Sequence, residues 1–135
     1  TVEVDELCGI HSFSHVHQMI STISGEISDG VSLTEIIAAS FPMGSMTGAP
    51  KIRAMEIIEV TEKTKRGLYS GTVGYLSPNG DFDLNVVIRS ILYNSEKKYL
   101  SFTVGSAITI GAAAEKEYDE CLLKAEAMKK VLLKK

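Results

Sequence analysis

The stretch Phe41-Pro42-Met43-Gly44-Ser45-Met46-Thr47-Gly48-Ala49-Pro50-Lys51-Ile52-Arg53-Ala54-Met55-Glu56-Ile57-Ile58 reads as a tight glycine-rich turn running into a helix. Pro50 suits the first helical position, where its fixed φ helps and its missing N–H costs nothing. Gly44 and Gly48 permit φ > 0 and a close approach of the backbone to another group. Unpaired N–H groups at a helix start, with Lys51 and Arg53 beside them, would make a site for a carboxylate or phosphate. The plainer alternative is a loop–helix join capped by Ser45 or Thr47. A P-loop is excluded, because Pro50 precedes Lys51 and no Gly-Lys-Ser/Thr follows the glycines.

Upstream of this stretch, Ser32-Leu33-Thr34-Glu35 is a capping box, so a helix starts at Leu33 and ends near Ser40, before Phe41-Pro42. Asp29-Gly30 is a turn. The β-branched run from His15 to Ile27 predicts a strand, with His15 and His17 on one face. Two histidines on a strand without a third ligand at useful spacing read as structural rather than as a metal site. Residues 1–12 read as a short strand or turn.

Downstream, a helix is expected from about Pro50 to Thr61, with Ile52, Met55 and Ile58 on one apolar face. Thr64-Lys65-Arg66-Gly67 is a loop with a small basic cluster. Three strands follow, Tyr69–Leu76, Asp83–Tyr93 and Tyr99–Ile108, joined by the turns Ser77–Asp81 and Asn94–Lys98. Short turns between successive strands predict an antiparallel meander. A long helix closes the chain, from about Ala114 to Leu133. The fold class is therefore α+β, a mainly antiparallel sheet with helices packed on one face.

The 135 residues suffice for one domain, and a 44% hydrophobic, 23% charged composition is that of a globular protein. A net charge of −3 gives no electrostatic case for nucleic acid or membrane binding. No apolar run approaches the roughly 20 residues of a membrane span. Cys8 and Cys121 match neither a disulfide framework nor a metal motif and read as small buried hydrophobes, which suits a reducing cytoplasm. The start at Thr1-Val2-Glu3-Val4, without methionine, reads as a fragment of a longer chain.

Charge enters apolar company in two places. Arg89 lies on a strand whose two faces, Val87/Ile91/Tyr93 and Val86/Ile88/Leu92, are both apolar. It is expected to be partly buried and to meet a carboxylate, either a bound one or that of a structural salt bridge. In the last helix, Tyr118, Cys121, Leu122, Ala125, Met128 and Leu132 form an apolar stripe. Glu117, Glu120 and Lys124 cluster beside it. They make either an ordinary i,i+4 surface pair or a site for a hard cation such as Mg²⁺, held by one or two carboxylates.

Taken together these segments resemble the chorismate-utilising enzymes: anthranilate synthase component I, aminodeoxychorismate synthase component I and their isochorismate and salicylate relatives. The opening stretch is similar to the family signature, its Ser45-Met46-Thr47 form to the aminodeoxychorismate synthase branch. Arg66-Gly67-Leu68-Tyr69-Ser70-Gly71-Thr72-Val73-Gly74-Tyr75 resembles the family's RG-x-Y-x-G-x-x-GY segment. Asp81–Arg89 resembles its D-x-D-x-N-x-x-I-R strand, and Glu117–Ala125 its E-x-x-E-x-x-x-K-A helix.

The resemblance implies that Tyr69 and Arg89 bind the enolpyruvyl carboxylate of chorismate, and that Gly105, Ser106 and Ala107 lend backbone N–H groups to it. Ser45 is a further candidate substrate contact. Glu120 would be a Mg²⁺ ligand, with Glu117 and Lys124 as supporting catalytic residues. It also implies an α/β sandwich larger than this chain, with a second metal-binding segment and a lysine nucleophile in an N-terminal half that has no counterpart here. The expected reaction is amination of chorismate to 4-amino-4-deoxychorismate, with ammonia from a glutamine amidotransferase subunit, and the chain alone is expected to be inactive. Anthranilate synthesis and a non-catalytic binding domain are the alternatives. The chain departs from the family pattern at Gln18, where histidine is usual and which His17 does not replace, and at Gly105-Ser106-Ala107, which is usually richer in glycine.

Overall fold

The computed structural model describes residues 1–14 and 16–133. These fall into two units, Thr1–Ala39 and Ser40–Lys135. In the first unit, β1 (Glu3–Ser12) pairs antiparallel with β2 (His17–Ser24), from Glu3↔Ser24 to Ser12↔His17. The register shifts between Glu6 and Gly9 as β1 bulges. Cys8 sits in this bulge at φ 53°, its N–H donating to Ser21 Oγ at 3.0 Å. The bulge turns Cys8 outward, so it is exposed rather than a buried hydrophobe. His17 Nδ1 is 2.9 Å from Ser12 Oγ, a structural role, while His15 lies outside the described residues.

Helix α1 (Leu33–Ser40) begins as the capping box predicts. The Ser32 N–H donates to Glu35 Oε2 at 2.8 Å, and the Glu35 N–H returns to Ser32 Oγ at 3.3 Å. The Ser32 hydroxyl, which donates to the same carboxylate at 2.7 Å, and then the Ser32 N–H hold the Glu35 carboxyl below its usual value.

The second unit opens with a single 3₁₀ turn, Gly44–Met46, and helix α2 (Lys51–Thr61). Pro50 is the extended residue before α2, at φ −68° and ψ 137°, one position ahead of its predicted place. Of the two glycines expected to need unusual backbone, only Gly48 does. Its φ is 147°, and a Cβ there would lie 2.9 Å from that of Ala54. Gly44 has neither a positive φ nor a close neighbour. The α2 face expected to be apolar is largely uncovered: Ile52 and Met55 are exposed and Ile58 half-buried.

The three predicted strands resolve into four shorter ones: β3 (Thr72–Leu76), β4 (Phe82–Val86), β5 (Ile91–Asn94) and β6 (Tyr99–Phe102). β3 pairs antiparallel with β4, and β5 with β6, as separate two-stranded sheets. The turns fall where predicted. Ser77 N–H donates to Asp81 O at 2.7 Å with Gly80 at φ 94°, and Asn94 Oδ1 accepts from the Lys97 N–H at 2.9 Å.

The middle strand breaks because its partner ends. Val87 still exchanges hydrogen bonds with Ser70 and Gly71, but the Ile88 N–H then turns back to Val86 O at 2.9 Å. Arg89 follows in the left-handed region, φ 49°. Tyr69 is not in a strand either. It lies in a double turn closed by Tyr69 N–H to Arg66 O (3.1 Å) and Gly71 N–H to Leu68 O (3.0 Å).

Helix α3 spans Ala114–Leu133, the range its sequence predicts. Among the described residues, the buried apolar side chains are Val87, Ala125 and Met128. Ser70 is a buried polar residue, its N–H donating to Val87 O at 3.0 Å. The class is α+β, as expected. No helix among the described residues is long and apolar enough to cross a membrane.

Candidate active site

The covered face of α3 is Glu117, Cys121, Lys124, Ala125 and Met128, a 4-3-1-3 spacing that keeps one side of a helix. Ala125 and Met128 are buried, and Glu117, Cys121 and Lys124 half-buried. Tyr118, Leu122 and Leu132, expected in the apolar stripe, are exposed instead. The covered face is thus turned by about one residue from the one apolarity predicts, and the turn carries an acid and an ammonium into it.

Polar partners explain that choice. Beyond β6 the chain leaves the ladder, well before the predicted strand end at Ile108, and runs to α3. The Lys124 ammonium donates to Gly105 O at 3.0 Å and pairs with Glu120 at 2.5 Å. Ser106 Oγ donates to the Glu117 carboxylate. Even a half-buried ammonium and carboxylate lose stability when left unpaired, so these bonds favour this side of the helix facing inward. Glu120 is exposed, and the Lys124 ammonium, with a smaller contribution from Ser106, holds its carboxyl below the usual value. The N–H groups of Gly105, Ser106 and Ala107 donate to no group among the described residues. They are left available to an acceptor from outside.

Tyr69 closes the cluster from the β3–β4 side. Its hydroxyl lies against Gly105, where an added Cβ would stand 2.7 Å from Oη. Burial raises its pKa, while Arg66 and Lys124 pull it back. The phenol therefore stays protonated at neutral pH and can donate. Arg66 lies over the ring, 6.0 Å from its centroid. The same guanidinium grips Glu62 with Nε (2.9 Å) and Nη2 (2.6 Å), and Nη1 donates to Met46 O at 2.6 Å.

The structure therefore brings together Tyr69, Gly105, Ser106, Glu117, Glu120 and Lys124. Ala107 follows them as an exposed residue, and Ser45 is exposed in the 3₁₀ turn whose Met46 carbonyl Arg66 holds. Arg89 is not buried, contrary to expectation: the strand break turns it out to solvent, and it makes no ion pair among the described residues. Val87 pairs with Ser70 and Gly71, so Arg89 still lies at the Tyr69 end of the β3–β4 ladder. Sequence reading missed Arg66 and Glu62 as parts of the site. Their four-residue spacing across a helix end, just before Gly67 and Tyr69, was the available signal.

Two carboxylates one helical turn apart suit a hard cation. Glu117 and Glu120 supply oxygen donors only, and Mg²⁺ often takes one or two carboxylates and fills its remaining positions with water and substrate oxygens. No group of three or more acidic, histidine or cysteine side chains with metal-binding geometry occurs among the described residues. The donor set thus fits a metal shared with substrate rather than a closed protein cage.

Residues 1–130 match the family model of the chorismate binding enzymes, and the chain belongs to that family. It is 44% identical over 94% of its length to a chloroplastic aminodeoxychorismate synthase of Arabidopsis thaliana, covering 14% of that protein. It is 41% identical over 98% of its length to aminodeoxychorismate synthase component 1 of Bacillus subtilis, covering 28% of it. A crystal structure of anthranilate synthase component I from Streptococcus pneumoniae superposes with a TM-score of 0.80 at 32% identity, over 94% of this chain and 29% of that one. The chain spans less than a third of the length of each of these relatives.

Proposed function

We propose that this chain is the C-terminal part of an aminodeoxychorismate synthase component I, which replaces the 4-hydroxyl of chorismate with an amino group and keeps the enolpyruvyl ether. The product would feed 4-aminobenzoate and folate synthesis in the cytoplasm, with ammonia from a glutamine amidotransferase subunit. One observation carries the reading. Tyr69, Gly105, Ser106 and the Glu117/Glu120/Lys124 face, which the family motifs hold far apart in sequence, lie in one cluster.

Each group has a role that its chemistry suits. The Tyr69 phenol and the Arg89 guanidinium receive the enolpyruvyl carboxylate, aided by backbone N–H groups of Gly105, Ser106 and Ala107. Ser45 contacts the substrate from the signature turn. Lys124, fixed by Glu120 and the Gly105 carbonyl, keeps its remaining N–H for a substrate oxygen. Glu120, with Glu117 behind it, would hold Mg²⁺, which when bound neutralises the ring carboxylate and helps the 4-hydroxyl leave. Ser106 keeps Glu117 oriented.

Anthranilate synthase is the second reading, favoured by relatives such as the Aquifex aeolicus component 1, 36% identical over 98% of this chain. Product analysis of the full-length enzyme with chorismate, ammonia and Mg²⁺ decides. 4-Amino-4-deoxychorismate with no pyruvate is expected. Anthranilate with pyruvate would overturn the first reading in favour of the second, and no product would overturn both.

A further inference from the structure

Arg66 lies outside every role assigned above, yet its side chain makes four hydrogen bonds. Four of its five guanidinium N–H groups are directed at protein acceptors. Nε and Nη2 meet the two oxygens of Glu62 at 2.9 and 2.6 Å in a bidentate fork. Nη1 meets the Met46 carbonyl at 2.6 Å, with Ser70 Oγ beside it at 3.5 Å. The cation faces the Tyr69 ring, and the Arg66 carbonyl accepts the Tyr69 N–H at 3.1 Å. With only 23% of its side chain exposed, the guanidinium is too enclosed to be a casual surface contact.

The Met46 carbonyl belongs to a stiff element. Met46 N–H donates to Met43 O (2.9 Å), Thr47 N–H to Gly44 O (3.2 Å) and Thr47 Oγ1 to Met43 O (3.0 Å). Ser45 is carried inside that turn. One planar cation therefore ties the end of α2, the Ser45 turn and the Tyr69 turn. A lysine would keep the charge but could not reproduce a fork on Glu62 and a separate bond to a carbonyl.

We propose that Arg66 is a positioning residue that fixes Tyr69 and the Ser45 turn relative to one another, with Glu62 holding the guanidinium in place. The proposal rests on the reading above, in which Tyr69 and Ser45 touch substrate. It predicts that Arg66 and Tyr69 act as a unit in substrate binding.

The test uses the full-length protein with R66K, R66Q, Y69F and the R66Q/Y69F double variant, reading KM and kcat for chorismate and thermal melting. R66Q and Y69F should each raise KM about tenfold with a smaller change in kcat, and the double variant should be no worse than the weaker single one. R66K should melt near the parent yet keep a raised KM. Additive effects in the double variant, or a parental KM in R66K, would overturn the proposal. A second readout needs no turnover: alkaline phenolate absorbance, with Y69F spectra subtracted. Burial raises the Tyr69 pKa and the Arg66 and Lys124 cations oppose that rise, so with Arg66 gone and Glu62 left in place the Tyr69 transition should move to higher pH in R66Q. An unmoved transition overturns the contact whatever the enzyme does. A wild-type enzyme inert toward chorismate, with the transition still shifted, would instead overturn the functional reading and leave the positioning contact standing.

Discussion

Gly105 carries two constraints at once. Its carbonyl accepts from Lys124 at 3.0 Å, and the space where a side chain would begin is taken by the Tyr69 hydroxyl. The aromatic ring cannot yield as the tip of a flexible chain would, so Gly105→Ala should push Tyr69 away from the segment. In the full-length enzyme this substitution is expected to raise the KM for chorismate about tenfold or more, with melting changed little. A parental KM would show that Tyr69 does not act through this contact. Contacts of this kind are hard to read from sequence. The motif points to Gly105, Ser106 and Ala107 as backbone donors, and their N–H groups meet no acceptor among the described residues. Nothing in the string says that the Ser106 hydroxyl turns to Glu117, or that Arg66 lies over Tyr69. Such pairings depend on which side chains the fold brings within reach, and long-range proximity leaves no local pattern.

At the scale of elements, local chemistry was legible and non-local termination was not. The Ser32/Glu35 box, the Ser77–Asp81 turn and the full length of α3 follow from signals within a few residues of each feature. The long middle strand did not survive, because its end is set by the partner's double turn at Arg66–Gly71 rather than by its own apolar run. The apolar stripe of α3 was displaced for a related reason, since Lys124 and Glu117 find partners only after the chain after β6 arrives. The strand break gives Arg89 a left-handed backbone, at φ 49°. For a residue with a Cβ that conformation costs about 1 kcal/mol. Arg89→Gly would relieve it, while added freedom of the unfolded chain costs about 0.5–1 kcal/mol. The two nearly cancel, so melting of the full-length protein should stay within about 2 °C of the parent. Chorismate affinity, measured by KM or by direct titration, should still fall about 100-fold with the guanidinium gone. A loss of many degrees together with intact affinity would show that Arg89 holds the fold and does not hold the substrate.

For the molecule as a whole, the family was legible because its motifs recur in order along nearly the entire chain, whereas the extent of the core was not. Periodicity says which faces are apolar but not whether anything covers them. Val4, Leu7, Ile10, Met19 and Ile23 of the β1–β2 hairpin are exposed, and so are Ile52 and Val60 of α2 and Leu123 and Val131 of α3. Against them stand three buried apolar side chains among the described residues, Val87, Ala125 and Met128. Uncovered apolar surface on this scale is unusual for a stable monomer, and so small a core leaves little to offset the entropy of ordering the chain. The site has the same character. It offers two carboxylates, an ammonium, a phenol and a row of N–H groups, and among the described residues no third acidic, histidine or cysteine side chain joins them in metal-binding geometry. The purified 135-residue chain is therefore expected to bind a hydrophobic dye, to self-associate on size exclusion and to melt over a broad range. Given chorismate, ammonia and Mg²⁺, it is expected to form neither 4-amino-4-deoxychorismate nor anthranilate, as followed by chromatography of the products. A sharp melt of a monomer together with steady turnover would show that these faces need no cover and that the residues described suffice for the chemistry.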